Sequence, residues 1–374
     1  MLTIAWKNLF HDRVRLTVTL VGIVFALVLI LVQFGLFLGF LDTSSNIVAA
    51  SRVDLWITAP SIPHVNGGSP LDESRRYRAL GVTGVRAVEK YTLMFVNWKL
   101  PSGAQQSIQV VGFPLDAGMG GPWNLTEGSL DALKGEDTVV VDELYKDKLG
   151  VEHVGDSVEI TGRRARVVGF TRGIRSFTTI PYVFTSFKNS QNYARLTENQ
   201  TTFFLVRTEP GADLQVVKRA LIDRLETVDV YTNKELEQKT RNYWVFGTGA
   251  GITTLLGAIL GLIVGVVVVA QTIYSATVDH IREFGTLKAM GASNRHIYTV
   301  ILAQAAVSAT LGYAVAVSVA LGAARLSAAG NAPIEVPPPV AMGAFALALS
   351  MCAGASIISI RKATRIDPAM VFRG

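Results

Sequence analysis

Four long stretches without a charged residue dominate the sequence: residues 16–41, 244–278, 297–324 and 336–360. A helix rises ~1.5 Å per residue, so roughly 20 apolar residues cross ~30 Å of hydrocarbon. All four runs reach that length. A buried core helix can imitate one such run, but four in one chain point to a multi-pass membrane protein. The 17% of charged residues fall short of the ~25% usual in soluble domains, and the shortfall collects in these runs.

Lys7, Arg13 and Arg15 precede the first run, as in a signal peptide. Its 26 residues exceed an h-region of about 7–15, so a retained anchor is expected. Before it, Leu2, Ala5, Trp6, Leu9 and Phe10 recur at helical spacing opposite Lys7, Asn8, His11 and Asp12. That pattern suits a short helix in the cytoplasmic interface, with a frayed extension of the first span as the alternative.

Charge sets the expected orientation. Segments 1–15, 279–296 and 361–374 together hold ten basic and four acidic residues, which equals the +6 of the whole chain. The positive-inside tendency puts these segments, and both termini, in the cytoplasm. The same distribution accounts for the basic balance without nucleic-acid binding, and no basic stripe with interleaved aromatics is present. The single cysteine, Cys352, lies in the last run, so no intramolecular disulfide can staple the segment expected outside.

That segment, about 200 residues long, is large enough for its own core. Short β-rich runs at 53–58, 107–113, 138–142, 157–161, 165–170 and 203–207 are bounded by Gly, Pro or Asp. Residues 213–227 read as an amphipathic helix, with Leu214, Val217, Leu221 and Leu225 on one stripe and Lys218, Arg219, Asp223 and Arg224 facing away. Segments 61–71 and 112–128 read as loops. Residues 233–243 read as a polar helix continuing into the second span as a rigid stalk. The expected class is thus an α-helical membrane protein with four transmembrane helices and a mixed α/β extracytoplasmic domain between helices 1 and 2.

Several chemistries lack their motifs. There is no G-x-x-x-x-G-K-[ST] loop to cradle ATP phosphates and no G-x-S-x-G elbow. His11, His64, His153, His280 and His296 form no metal-ligand spacing. No run carries an ionisable residue at its centre, as an ion-coupled carrier generally requires. Gln33, Gln271 and Gln304 are the main polar exceptions, suited to interhelical hydrogen bonds. No catalytic site and no metal site are expected.

Gly257, Gly261 and Gly265, four apart on one face of the second run, mark a close helix-packing seam. The seam suits either a second copy of the chain or another span of the same chain. Gly35 and Gly39 form a weaker one. In the loop between the second and third runs, Ile281, Phe284, Leu287, Ala289 and Met290 give a short helix an apolar side, with Arg282, Glu283 and Lys288 around it. Gly291 can end that helix, and Ser293 or Asn294 can cap the next. Spacing alone allows either a surface that receives a cytoplasmic partner or a plain connector.

Here the residues carry a resemblance. Arg-Glu-Phe-Gly-Thr-Leu-Lys-Ala-Met-Gly-Ala at 282–292 resembles the coupling helix of the MacB/FtsX/LolC group of ABC permeases. Leu149-Gly-Val, Val154-Gly-Asp-Ser-Val-Glu-Ile and Val167-Val-Gly-Phe resemble strands of that group's periplasmic core domain. The tail from Arg365 to Arg373 is similar to its P-A-x-x-x-R ending. Ala5-Trp6-Lys7-Asn8-Leu9, Arg13-Val-Arg-Leu and Gln33-Phe-Gly resemble the DevC-like branch, exporters of glycolipids and other amphiphiles.

The resemblance implies a non-catalytic permease subunit in a bacterial inner membrane. It implies a homodimer bound to two ABC ATPase subunits, with a membrane-fusion protein and an outer-membrane channel as further partners. MacB carries a fused ATPase that this sequence does not contain, so the motor, with its ATP and magnesium, is expected on a separate chain; this chain is expected to bind no cofactor. ATPase coupling falls to Ile281, Arg282, Glu283, Phe284, Gly285, Leu287, Lys288, Met290 and Gly291. The implied organisation is an interfacial helix at 1–15, spans at 16–41, 244–274, 297–324 and 340–360, the core domain and stalk at 42–243, the coupling loop at 275–296, a short outer loop at 325–339 and a tail at 361–374. An FtsX-like regulator of a cell-wall enzyme, a lipoprotein-releasing permease, and a haem or antimicrobial-peptide exporter remain alternatives within the group. A two-anchor sensor would need a signalling module that is missing.

Overall fold

The computed structural model describes residues 13–279, 290, 293–328, 330 and 332–364. The expected interfacial helix before residue 13, most of the coupling loop and the tail beyond 364 lie outside the described residues. The chain forms two compact units: one of residues up to 39, 252–328 and from 333 onward, the other of 40–251 with 329–332.

The first unit is helical. Helix α1 (Arg13–Ala49) runs 37 residues without interruption, about 56 Å at 1.5 Å per residue. Its apolar part therefore overshoots a bilayer core, and residues past 41 turn polar: Asp42, Thr43, Ser44, Ser45, Asn46. Among the described residues, four helices are long and apolar enough to cross a membrane, over Leu16–Ala49, Ala250–Ser275, Tyr298–Ser327 and Pro338–Ile357.

The second unit contains β1 (Leu55–Thr58), β2 (Leu71–Asp72), α2 (Ser74–Leu80), β3 (Val85–Lys99), β4 (Gln105–Phe113), β5 (Leu125–Gly128), β6 (Thr138–Asp142), α3 (Lys146–Leu149), β7 (Ser157–Ile160), β8 (Arg163–Thr171), β9 (Tyr182–Ser186), α4 (Phe187–Tyr193), β10 (Gln200–Thr201), β11 (Phe203–Thr208), α5 (Leu214–Leu225), β12 (Asp229–Thr232) and α6 (Asn233–Asn242). Ten strands form one mixed sheet in the order β12-β1-β11-β3-β4-β9-β6-β8-β5, with β7 pairing β3 and β8; β2 and β10 form a separate pair.

The fifteen-residue β3 is the spine of this sheet. Its first half pairs with β11 and its second half with β4. In the central strands, alternate residues point into different cores. Val111, Phe113, Val140 and Phe184 join a core around Trp56, Tyr91 and Phe203. Val110, Val139, Val141 and Val183 join one around Trp98, Tyr145 and Phe170. A sheet covered on both faces reads as a continuous apolar run, which is why 138–142 carries three consecutive valines. Trp56 meets Tyr91 and Phe203 edge-on at 5.4 and 5.7 Å, the arrangement that aromatic quadrupoles favour.

All six expected strands are present, and the expected helix is α5. Asp213 caps it, accepting from Gln215 N at 2.8 Å, and Val217, Leu221 and Leu225 are buried. The segment read as a loop over 112–128 ends in β5, an edge strand that pairs only with β8. Strands β2, β3, β9, β10 and β12 are further additions to the sequence reading. The two halves of β3 face different surroundings, so its polar and apolar residues follow no single alternation.

The rigid stalk is corrected. Helix α6 starts at a capping box between Thr232 and Glu235 but ends in a wide turn over Tyr243–Gly247, closed by Thr248 N donating to Tyr243 O at 3.1 Å. Gly249 then takes φ +75°, a conformation that favours glycine. The next helix, α7 (Ala250–Asp279), starts afresh, six residues later than the expected second span. Helices α8 (Asn294–Ser327) and α9 (Pro338–Thr364) complete the set. Ser293 caps α8, accepting from His296 N at 3.4 Å.

Candidate functional site

The α/β unit includes residues 40–49, 243–251 and 329–332 of its own chain, and a set of polar contacts ties them to its strands and loops. The foundation is Asp142, the last residue of β6, 1% exposed. Its carboxylate accepts from Leu144 N at 3.1 Å, Thr171 Oγ1 at 2.9 Å and Ile174 N at 2.7 Å. Burial pushes the carboxyl above its ordinary pKa, and the donors partly offset that. The effect is to cap the short turn after β6 and to pin the start of the loop after β8. Gly173, at φ +84°, lets that loop turn.

Arg175 follows in the same loop and is 8% exposed. Its Nη1 donates to Gly330 O at 2.8 Å, in the segment between α8 and α9. Its own carbonyl accepts from Asn46 Nδ2, near the end of α1, at 2.6 Å. A few residues away, Arg241 Nε of α6 donates to Ser45 Oγ of α1 at 2.8 Å. Val65 N donates to Thr240 Oγ1 at 3.2 Å. Asn233 Oδ1 accepts from both Trp56 Nε1, at 2.8 Å, and Ser51 Oγ, at 3.1 Å.

Aromatic rings line the same region. Phe177 lies between Phe40, which it meets edge-on, and Trp244, to which it is tilted, with centroids at 5.2 and 4.4 Å. His64 lies 4.4 Å from Tyr243 and 4.8 Å from Trp244. Burial lowers the His64 pKa, against a smaller opposing effect of Asn66. Just inside, Asn66 Nδ2 donates to Gln109 Oε1 at 2.9 Å, and burial pushes the nearby Tyr182 hydroxyl up to about 12. Nothing in this arrangement resembles a nucleophile with its base. Among the described residues no group of three or more His, Cys, Asp or Glu is placed to hold a metal ion.

In the helical unit, the glycine seam faces α1 of the same chain. A Cβ at Gly257 would meet Gln33 Oε1 at 3.2 Å, one at Gly261 would meet Leu29 Cγ at 3.5 Å, and one at Gly265 would meet Ile30 Cδ1 at 2.9 Å. Gly39 faces the Pro333 carbonyl and Gly35 faces Ile334. An apolar groove of about 470 Å³ lies between α1, α7 and α9, lined by Ile30, Phe34, Leu255, Ile259, Val340 and Leu347 among others. Of the coupling residues only Met290 is described, as an exposed turn residue. Ile281, Arg282, Glu283, Phe284, Gly285, Leu287, Lys288 and Gly291 lie outside the described residues.

Residues 16–224 match the MacB-like periplasmic core domain family, and residues 255–368 match the FtsX-like permease C-terminal family. The chain belongs to the FtsX/MacB-like family of ABC transporter permeases. This permease is 27% identical over 383 residues to an uncharacterised ABC transporter permease of Mycobacterium tuberculosis, with all of both chains covered. It is 25% identical over 382 residues to another from Mycobacterium bovis, again over the full length of both. A macrolide export ATP-binding/permease protein, MacB of an Azoarcus species, shares 32% identity over 134 residues, 34% of this permease and 20% of MacB. The crystal structure of the periplasmic region of MacB from Actinobacillus actinomycetemcomitans overlays with TM-score 0.39 and 14% identity, covering 53% of the permease and 96% of that chain.

Sequence reasoning missed Asp142, Arg175, Asn46 and Trp244 as a group. Each sits in an unremarkable local context, and only the fold brings them together.

Proposed function

We propose that this permease is the transmembrane subunit of an ATP-driven exporter that passes motion from a separate ABC ATPase to its α/β unit, and so drives export of a lipid-like or amphiphilic substrate. The observation that carries the reading is one chain that joins a MacB-like core domain to an FtsX-like C-terminal region. Its four apolar helices and the absence of a phosphate-binding loop in the sequence support it.

In this reading the α/β unit stands outside the membrane between the first and second spans, and both termini are cytoplasmic in a bacterial inner membrane. The charge on segments 1–15, 279–296 and 361–374 supports that orientation. Tyr243 and Trp244 then fall at the outer interface, where amphipathic rings are favoured. Two copies bind two ATPase subunits, which hold the ATP and magnesium. Phe284 anchors in a groove of the ATPase while Glu283 and Arg282 set the register. The wholly apolar groove, within the size range of about 300–1,000 Å³ for ligand sites, supports an amphiphile as cargo. A membrane-fusion protein and an outer-membrane channel complete the route, as in the DevC-like branch.

The test is purification of the complex from its native host. The expected result is a co-purifying ABC ATPase whose hydrolysis is stimulated by the permease, with loss of stimulation in Phe284→Ala and Glu283→Lys. Wild-type stimulation in the double mutant would refute the coupling role. Stimulated hydrolysis with no lipid or small molecule altered in the envelope of a deletion strain would favour a regulator of a cell-wall enzyme.

A further inference from the structure

We propose that His64 is an acid-sensitive clasp on the turn between α6 and α7: the neutral imidazole holds Tyr243 and Trp244 against the loop between β1 and β2, and protonation lets the turn go. Every residue involved belongs to the α/β unit, so the clasp is independent of the permease reading. In the orientation proposed above, it responds to the pH outside the cytoplasm.

The loop that carries His64 is fixed. Ser61 N donates to Asp229 Oδ2 at 2.8 Å, Val65 N to Thr240 Oγ1 at 3.2 Å and Gly67 N to His64 O at 3.1 Å. From this base the imidazole meets Tyr243 and Trp244, with ring centroids at 4.4 and 4.8 Å, and Phe177 packs on Trp244 at 4.4 Å. The turn has few other anchors. Widened helical geometry of this kind is sustained mostly as a single turn. Within Tyr243–Gly247 only Val245 is fully buried, and Phe246, Gly247 and Thr248 are exposed. Gly249, at φ +75°, ends the turn. Ring packing on Tyr243 and Trp244 therefore sets its position.

Two buried atoms set the sign. His64 Nδ1 and Trp244 Nε1 are both buried without a hydrogen-bond partner. The indole nitrogen is a donor, and Nδ1 of a neutral imidazole is an acceptor when the other nitrogen carries the proton. Neutral, the adjacent rings place an acceptor beside a donor. Protonated, they place two donors together and bury a charge, which is costly. The faces of Tyr243 and Trp244 attract an imidazolium, but the rings are tilted by 37° and 43° to the imidazole. Were that attraction to win, acid would tighten the turn.

The surroundings favour the neutral form. Burial and Asn66 act on His64, and the larger effect, burial, lowers its pKa. Tyr243 is the titratable side chain in ring contact with it. Charged groups on the neighbouring segments have partners of their own: Asp229 accepts from Ser61 N and Tyr231 Oη, Lys239 lies over the Tyr231 ring, and Arg241 pairs with Glu237. Arg175, in the loop that carries Phe177, donates to Gly330 O.

With 6.5 as the pKa of the released imidazole and a closed turn that takes no proton, opening is favoured about thirtyfold more at about pH 5 than at about pH 7.5. Hydrogen–deuterium exchange on the full-length chain in lipid nanodiscs, divided by the intrinsic rate at each pH, reads this opening. Protection of the amides at 243–249 is expected to fall between about fivefold and about thirtyfold on acidification, with β6 and β11 unchanged. His64→Phe keeps a ring against Tyr243 and Trp244 but cannot titrate, and His64→Gln cannot titrate either; both should show equal protection at the two pH values. His153→Gln, at an exposed histidine, should behave as wild type. Equal protection at both pH values in the wild type overturns the clasp, and so does greater protection in acid, which would make the rings a binder of the imidazolium. A fall that persists in both His64 variants overturns it by placing the titration elsewhere. A fall spread evenly over the sheet overturns it as well, since that is acid unfolding.

Discussion

Replacing Gly39 and Gly261 by alanine separates two kinds of helix contact that look alike in the sequence. In a helix interior, alanine is favoured over glycine by roughly 0.5–1 kcal/mol because it restricts the unfolded chain. At Gly261 the added Cβ would meet Leu29 Cγ at 3.5 Å, Gln33 Cγ at 3.6 Å and Leu29 O at 3.8 Å, all ordinary contacts. The expected result is a neutral change or a gain of up to about 1 kcal/mol. At Gly39 the added Cβ would overlap the Pro333 carbonyl oxygen and lie 3.0 Å from its carbon. A main-chain oxygen cannot rotate away as a side chain can. Overpacking of this kind costs about 1–3 kcal/mol, so Gly39→Ala should lose about 1–2 kcal/mol after the propensity gain is counted. Gly261→Leu should also lose about 1–3 kcal/mol, because its branch points run into Leu29 and Gln33. Unfolding in mixed detergent, followed by near-ultraviolet circular dichroism, measures the differences. The reasoning is refuted if Gly39→Ala is as stable as wild type, or if Gly261→Ala loses as much as Gly39→Ala.

Trp56→Ala removes a fully buried indole and its bond to Asn233; a loss of about 3–5 kcal/mol is expected in thermal unfolding of the full chain. Asp142→Ala leaves Leu144 N, Thr171 Oγ1 and Ile174 N without their acceptor and should cost about 3 kcal/mol, read as faster amide exchange over 171–176. His64 has its pKa lowered from 6.5 by burial, so the unfolded chain takes up a proton before the folded one. Its contribution is complete above 6.5 and is lost as pH falls from there through the folded value; His64→Phe should flatten that part of the stability profile. Reporter fusions at residues 41, 150, 285 and 374 should give external signals at 41 and 150 and cytoplasmic signals at 285 and 374. A cytoplasmic signal at 150 would end the proposed orientation.

Much of the α/β unit was legible because its strands are short, apolar and separated by turn residues. Runs such as Val139-Val140-Val141 and Phe203–Val206 declare burial whichever face is considered. The amphipathic stripe of α5 is a local pattern, and local patterns survive without the fold. Strand β3 was hidden because its two halves face different surroundings, so no single period describes it. The continuous stalk failed at Gly249, where one left-handed residue outweighs the helical preference on either side. Gly257, Gly261 and Gly265 announced close contact, but glycine spacing carries no information about which helix makes it.

The sequence by itself determined that the chain has four helices able to span a membrane, because hydropathy and length act residue by residue along one segment. It also determined six of the twelve strands among the described residues and the cap of α8, since a cap and its helix are neighbours in the chain. Only the tertiary structure decided that the glycine face meets α1, that Asp142 organises the loop after β8, and that Arg175 holds Gly330. Those contacts join residues 129 and 155 positions apart, as for Asn46 with Arg175 and Arg175 with Gly330. Whether a polar side chain is buried against such a partner depends on how the strands and helices pack. No local spacing encodes that, and the cost of burying Arg175 or Asp142 is met only once the distant partner has arrived.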